Sequence, residues 1–163
     1  MDAGHLKRLI EGELGHLLDS RVLGQIRGLL IEPRMVLRDW DYGPPGQQYP
    51  CWIVFEDDRE GTGICYCESG FGPRCPWGLM WLPGNDAMGM DCSWFTTFLD
   101  AYFDSFSAAN LPIWRVIKTD TSGVRVPLTD EGDWQATWVK VAELRKADPT
   151  ATYDCDHTIE YGS

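Results

Sequence analysis

Positive charge is scarce in this sequence. Its 163 residues carry 14 lysines and arginines against 25 aspartates and glutamates, with three histidines, for a formal charge of −11. A surface that acidic repels phosphate backbones and anionic lipids, which argues against nucleic-acid or membrane binding. Long apolar runs are missing too: no window reaches the ~18 apolar residues of a membrane helix. The opening stretch MDAGHLKRLIEGELGHLL is interrupted by charge every few residues and does not read as an export signal, so a cytoplasmic protein is expected. In a reducing cytosol the six cysteines (Cys51, Cys65, Cys67, Cys75, Cys92 and Cys155) are expected as free thiols.

Enzyme signatures are absent as well. The chain has no G-x-x-x-x-G-K-[ST], no G-x-G-x-x-G opening a helix, no G-x-S-x-G, no H-E-x-x-H and no EF-hand loop. Gly70-Phe71-Gly72 is followed by Pro73, which removes a backbone N–H where an anion cradle needs donors. Cys65, Cys67, Cys75 and Cys92 form C-x-C-x7-C-x16-C, a spacing unlike the C-x2-4-C knuckles of zinc sites. These thiols are read as small buried apolar groups, and neither a metal nor another cofactor is expected. Cys75 sits beside Arg74, which would favour thiolate, but nothing in the chain brings His5, His16 or His157 to it as a base. No catalytic residue is assigned.

What is present is an ordinary apolar fraction of 44% and eight tryptophans, enough for a real core. Leu6, Leu9, Ile10, Leu14, Leu17 and Leu18 repeat at helical spacing. Val22, Leu23, Ile26, Leu29 and Leu30 do so again after Asp19-Ser20, a capping pair, so one long helix or two are expected before Pro33. MVLRDWDY (35–42) reads as a strand. CWIVFED (51–57) and GICYCE (63–68) read as a hairpin, and WGLMWL (77–82) as a third strand. Aromatic residues from Trp94 to Phe106 recur at helical spacing and predict a helix started by Asp91 or Ser93. A second hairpin is expected over 113–120 and 123–128, and a final helix near 131–146 begun by Thr129 or Asp130. The polar tail is expected to end in a short strand. The order implies a single α+β domain over 1–163. It has a mostly antiparallel sheet, an N-terminal helix or helix pair and two further helices.

Two features stand out as a binding surface. Glu56, Asp57, Asp58 and Glu60 gather at the first hairpin's tip, with Glu68, Asp86 and Asp91 nearby in sequence. The loop-and-strand segment GFGPRCPWGLMW (70–81) is braced by Pro73 and Pro76 and carries Phe71, Trp77 and Trp81. A stiff aromatic edge loses little entropy on binding, and acidic groups steer a basic partner toward it. These residues are assigned to a basic protein partner. The alternative is a small hydrolase-like enzyme with an acidic pocket behind the 70–91 loops, using Glu68, Asp91 and Cys75.

The stretch WIVFEDDREGTGICYCESGFGPRCPWGLMWL, followed by MGMDCSWFTTFLDAYFDS, resembles small, acidic, tryptophan-rich bacterial immunity proteins of secreted or contact-dependent toxin systems. The resemblance spans residues 51–106. It implies an α+β domain that blocks a toxin by occupying its active-site region, with the toxin as the basic partner.

Overall fold

The computed structural model describes residues 1–40, 42–69, 71–82 and 93–162, among which five helices and eight strands are formed. The N-terminal leucine stripe divides into α1 (Ala3–Leu14) and α2 (Ser20–Leu29). Asp2 caps the first by accepting from the His5 amide at 2.8 Å, and Asp19 caps the second by accepting from the Arg21 and Val22 amides. The chain then enters β1 (Leu30–Asp39) at once, so the strand expected at 35–42 starts earlier and contains Pro33. A proline is tolerated there because β1 is the edge of its sheet and need not donate on its open side.

β2 (Gln48–Asp57), β3 (Thr62–Tyr66), β4 (Trp77–Trp81) and β5 (Trp94–Phe95) follow β1 as an antiparallel meander, in sequence order across the five-stranded sheet. The expected hairpin between 51–57 and 63–68 is its centre. One irregularity decides where charges go. The β2–β3 register slips between Ile53 and Phe55, placing an extra residue in β2 opposite β3. Past this bulge Val54 and Phe55 both join the helix-side core, and Asp57 follows Phe55 onto that face.

The helix expected from Asp91 or Ser93 to Phe106 is broken up. Trp94 and Phe95 pair with β4, and only then do α3 (Phe98–Phe103) and α4 (Phe106–Ala109) form. Thr97 accepts from the Asp100 amide, and Ser105 accepts from the Ala108 amide while donating its hydroxyl to the Tyr102 carbonyl. Those two caps set separate starts, which a single helix does not allow. From α1, Glu13 accepts from the Phe98 and Leu99 amides at 3.1 and 2.9 Å, and burial pushes its carboxyl above the usual range. Helices α1 to α4 thereby cover one face of the large sheet around Phe55, Ile64, Trp77, Phe98 and Tyr102.

The second hairpin pairs β6 (Trp114–Thr119) with β7 (Arg125–Pro127), and β8 (Thr152–His157) adds to the other side of β6. α5 (Trp134–Ala147) packs on this small sheet through Val141, against Val116 and Tyr153. Its cap is Asp133, which accepts from the Ala136 amide. Thr129, one of the two expected starters, instead accepts from the Val116 amide. The tail returns to the first turn, where Leu17 bridges Tyr161 and the Gly162 amide donates to the His16 carbonyl.

Among the described residues no helix packs on the opposite face of the large sheet, and yet that face is buried. Cys51, Ile53, Cys65, Cys67 and Met80 form a second cluster there, flanked by Trp40 and Trp94. Gly78 lets Trp94 lie flat on the sheet: a Cβ at that position would come within 2.8 Å of the indole. Phe71 closes over Trp94 and Trp40, each ring 5.9 Å away. The Cys51 thiol is pushed far above its ordinary range by a hydrogen bond to Cys65 and by burial, and Cys67 by its bond with Cys51 and by burial. Thiolate chemistry is suppressed at both. Alkylation of the native protein, mapped by peptide mass spectrometry, is expected to label the partly exposed Cys75 and to spare Cys51, Cys65 and Cys67 by about a hundredfold in rate until the chain is unfolded. Equal labelling of all four would mean this face is open.

Candidate functional site

A groove of about 900 Å³ runs between α2 and the β2–β3 turn. Its wall on the turn side is Glu56, Asp57, Asp58, Arg59 and Glu60, so the four hairpin-tip carboxylates singled out by sequence line one concavity. Gly24 and Gly28 of α2 form part of the opposite side, where their missing side chains leave open space. Four acids against one guanidinium make this lining strongly negative.

The four carboxylates are not equivalent. Asp58 is exposed. Glu60 accepts from the Asn110 side-chain amide at 3.0 Å, and Glu56 is paired with Arg34 across the sheet. Asp57, expected at a solvated tip, is instead 5% exposed. It accepts from the Ser107 hydroxyl at 2.7 Å and from the Arg59 amide at 3.1 Å. The chain of bonds continues inward: Gln25 donates to the Ser107 carbonyl at 2.9 Å, and the Tyr102 hydroxyl donates to Gln25. Burial pushes the Tyr102 phenol above its usual range and keeps it a donor. A serine on a carboxylate suggests nucleophilic chemistry, yet Ser107 is fully buried and no histidine lines the groove. The pair holds α4 to the sheet; it does not face a substrate.

The aromatic residues sort by what covers them. Trp77 and Trp81 share one face of β4, as their spacing requires. Trp77, assigned to the binding edge, lies instead at 3% exposure under Phe98 and Tyr66, with ring centroids 5.5 and 5.0 Å away. This overturns its role as a surface anchor: α3 covers the first half of β4. The strand outruns that cover, so Trp81 stays 43% exposed and meets the half-exposed Phe106 ring at 6.3 Å. Trp81 also pairs with Thr62, which pairs with Asp57, so the exposed indole stands at the same sheet end as the acidic groove.

Glu68 and Phe71 lie past the other end of β3, about 20 Å away by strand rise. There Glu68 accepts from the Tyr66 hydroxyl at 3.0 Å and lines a hollow of about 290 Å³ beside Pro50 and Trp52. Phe71 serves as the lid of the cysteine-rich cluster. Asp86 and Asp91, together with Cys92, fall outside the described residues. Among the described residues no group of three or more histidine, cysteine, aspartate or glutamate side chains is placed to hold a metal ion. Also among them, no helix is long and apolar enough to cross a membrane.

Sequence reasoning missed Phe106, Ser107 and Asn110 as parts of this site. All three fall in a segment whose periodicity reads as one core helix, and only the Ser105 cap, a single hydroxyl, marks the new start that turns them toward the turn. No protein-family model, curated protein or solved structure matches the chain.

Proposed function

We propose that the chain is a protein-binding domain that takes a basic partner on the hairpin end of its large sheet, and that it acts as an immunity-type inhibitor by occluding a bacterial toxin. The observation that carries this reading is the convergence of an acidic groove with an exposed aromatic pair, Trp81 and Phe106, at one end of the molecule. The exposed Asp58 carboxylate and the half-exposed Glu60 carboxylate would set the rate of encounter, and the indole would supply the desolvated anchor. Asp57 and Trp77 contribute by holding the platform rigid.

The test uses the purified chain as bait in host lysate, followed by kinetics on the recovered pair and co-expression with the captured protein. A basic protein should be retained, and co-expression should relieve its toxicity. Asp58→Lys with Glu60→Lys should slow association about tenfold at low salt, and Trp81→Ala should weaken binding by about 2 kcal/mol, mainly through dissociation. A complex indifferent to all three substitutions would place the interface elsewhere.

A further inference from the structure

The cysteine-rich cluster of the large sheet holds a pair of thiols that the proposed function does not use. Cys51 lies within β2, and Cys67 directly follows the last residue of β3. The β2–β3 register sets Ile53 opposite Cys65 and Trp52 opposite Tyr66, so its next rung sets Cys51 against Cys67. Backbone hydrogen bonds show which kind of rung this is. The Cys67 amide donates to the Pro76 carbonyl at 2.8 Å, and just before β3 the Gly61 carbonyl accepts from the Leu82 amide. Odd-numbered residues along β3 thus turn their hydrogen bonds toward β4. Cys51 and Cys67 therefore face each other as a non-hydrogen-bonded pair, which brings Cα atoms to about 4.5 Å. A disulfide asks for about 4.4–6.8 Å.

The side chains fit the same reading. Cys51 and Cys67 are both buried and both free, and their thiols are hydrogen-bonded to each other. Cys65 also bonds the Cys51 thiol, but it stands one rung along on the same face. That diagonal puts its Cα about 7–8 Å from Cys51, too far for a bridge without backbone movement. Cys155 belongs to the small sheet. Arg38, on the neighbouring strand, is 8% exposed and meets no carboxylate within 4.0 Å among the described residues. Its charge favours a thiolate at Cys51, although the Cys65 hydrogen bond and burial outweigh it in the closed sheet.

We propose that Cys51 and Cys67 are a modification site, forming a disulfide across β2 and β3 with a small-molecule disulfide such as oxidised glutathione as the oxidant. Cys67 reacts first, because it lies past the end of β3 and fraying of that end alone uncovers it. Its thiolate attacks one sulfur of the oxidant and releases the first glutathione thiol. As the strands close, Cys51 attacks the Cys67 sulfur and releases the second. Two protein S–H bonds become one S–S bond, the oxidant's S–S bond is reduced to two thiols, and the two protons pass to them. Burial makes this exchange slow in the closed sheet, so it proceeds during folding or through opening of the strand end. Facing residues already stand at bonding separation, so the sheet keeps one geometry in reducing and oxidising surroundings. The site lies at the far end of β3 from the acidic groove and does not depend on the function proposed for that groove.

In the test, the full chain is reduced and unfolded in urea, then diluted into glutathione buffers stepped from reducing to oxidising. After equilibration the thiols are quenched with acid, and linkages are mapped by peptide mass spectrometry. The Cys51–Cys67 linkage should form first, at a glutathione ratio at least about tenfold more reducing than any other pairing requires. Cys51→Ala or Cys67→Ala should remove this earliest linkage, whereas Cys65→Ala should leave its midpoint within about twofold. Mapping on the unmodified chain decides the matter even where a variant fails to fold. Held in urea throughout, the chain should lose the preference, because sequence separation and not the sheet then sets encounter. Another pairing forming first, glutathione adducts in place of the linkage, or an equal preference in urea would each overturn the proposal.

Discussion

Trp77→Ala is expected to remove about 3–5 kcal/mol of stability in urea titrations, whereas Trp81→Ala, four residues along the same strand face, should change it by about 1 kcal/mol or less. Trp77 is sealed between Tyr66, Phe98 and the sheet, and truncating it opens a cavity that rigid ring neighbours cannot refill. Each edge-to-face pair it forms adds about 0.5–1.5 kcal/mol beyond area burial. Trp81 loses only a half-exposed contact with Phe106. Since domains of this size hold about 5–15 kcal/mol in total, the first substitution leaves a protein near its unfolding threshold. The reverse order of effects would show that α3 does not cover β4 as described.

The second large effect concerns Asp57 and Ser107. Asp57→Ala and Ser107→Ala should each cost about 2–3 kcal/mol, because either change strands a buried polar group without its partner. The double variant should cost well under their sum, with a coupling energy of about 1.5–3 kcal/mol from the double-mutant cycle. An aspartate on a solvated turn would show changes within about 0.5 kcal/mol and no coupling. Asp58→Ala, one residue further and exposed, is the internal control for that outcome.

Much of the architecture was legible because it rests on local periodicity. The leucine stripe, the capping aspartate at position 19 and the two hairpins each follow from side-chain spacing and turn chemistry within a dozen residues. The site was legible only in part. The tip carboxylates converge because adjacent residues in a turn cannot be far apart, and that much follows from sequence. Which of them turns inward was not legible, since it hangs on the slip at Ile53 to Phe55, and one extra residue exchanges the faces of everything after it. Nor was the difference between Trp77 and Trp81. Both have the same residue type, strand and face, and they part only because a helix from later in the chain ends between them. The break between α3 and α4 hid Phe106, Ser107 and Asn110 for a related reason: helical spacing persists in the letters although a serine cap has reset the backbone.

The bridge from Leu17 to Tyr161 has a meaning for biosynthesis. Translation delivers its two halves far apart in time, and at about 5–20 residues per second the turn waits on the order of ten seconds for its partner segment. Until then the Leu18 amide, which ends up donating to the Glu160 carbonyl, has only water to bind. The fold is therefore latched by residues made long after the turn they close on, and a nascent chain stalled before Glu160 would present its first two helices to chaperones and proteases with that latch undone.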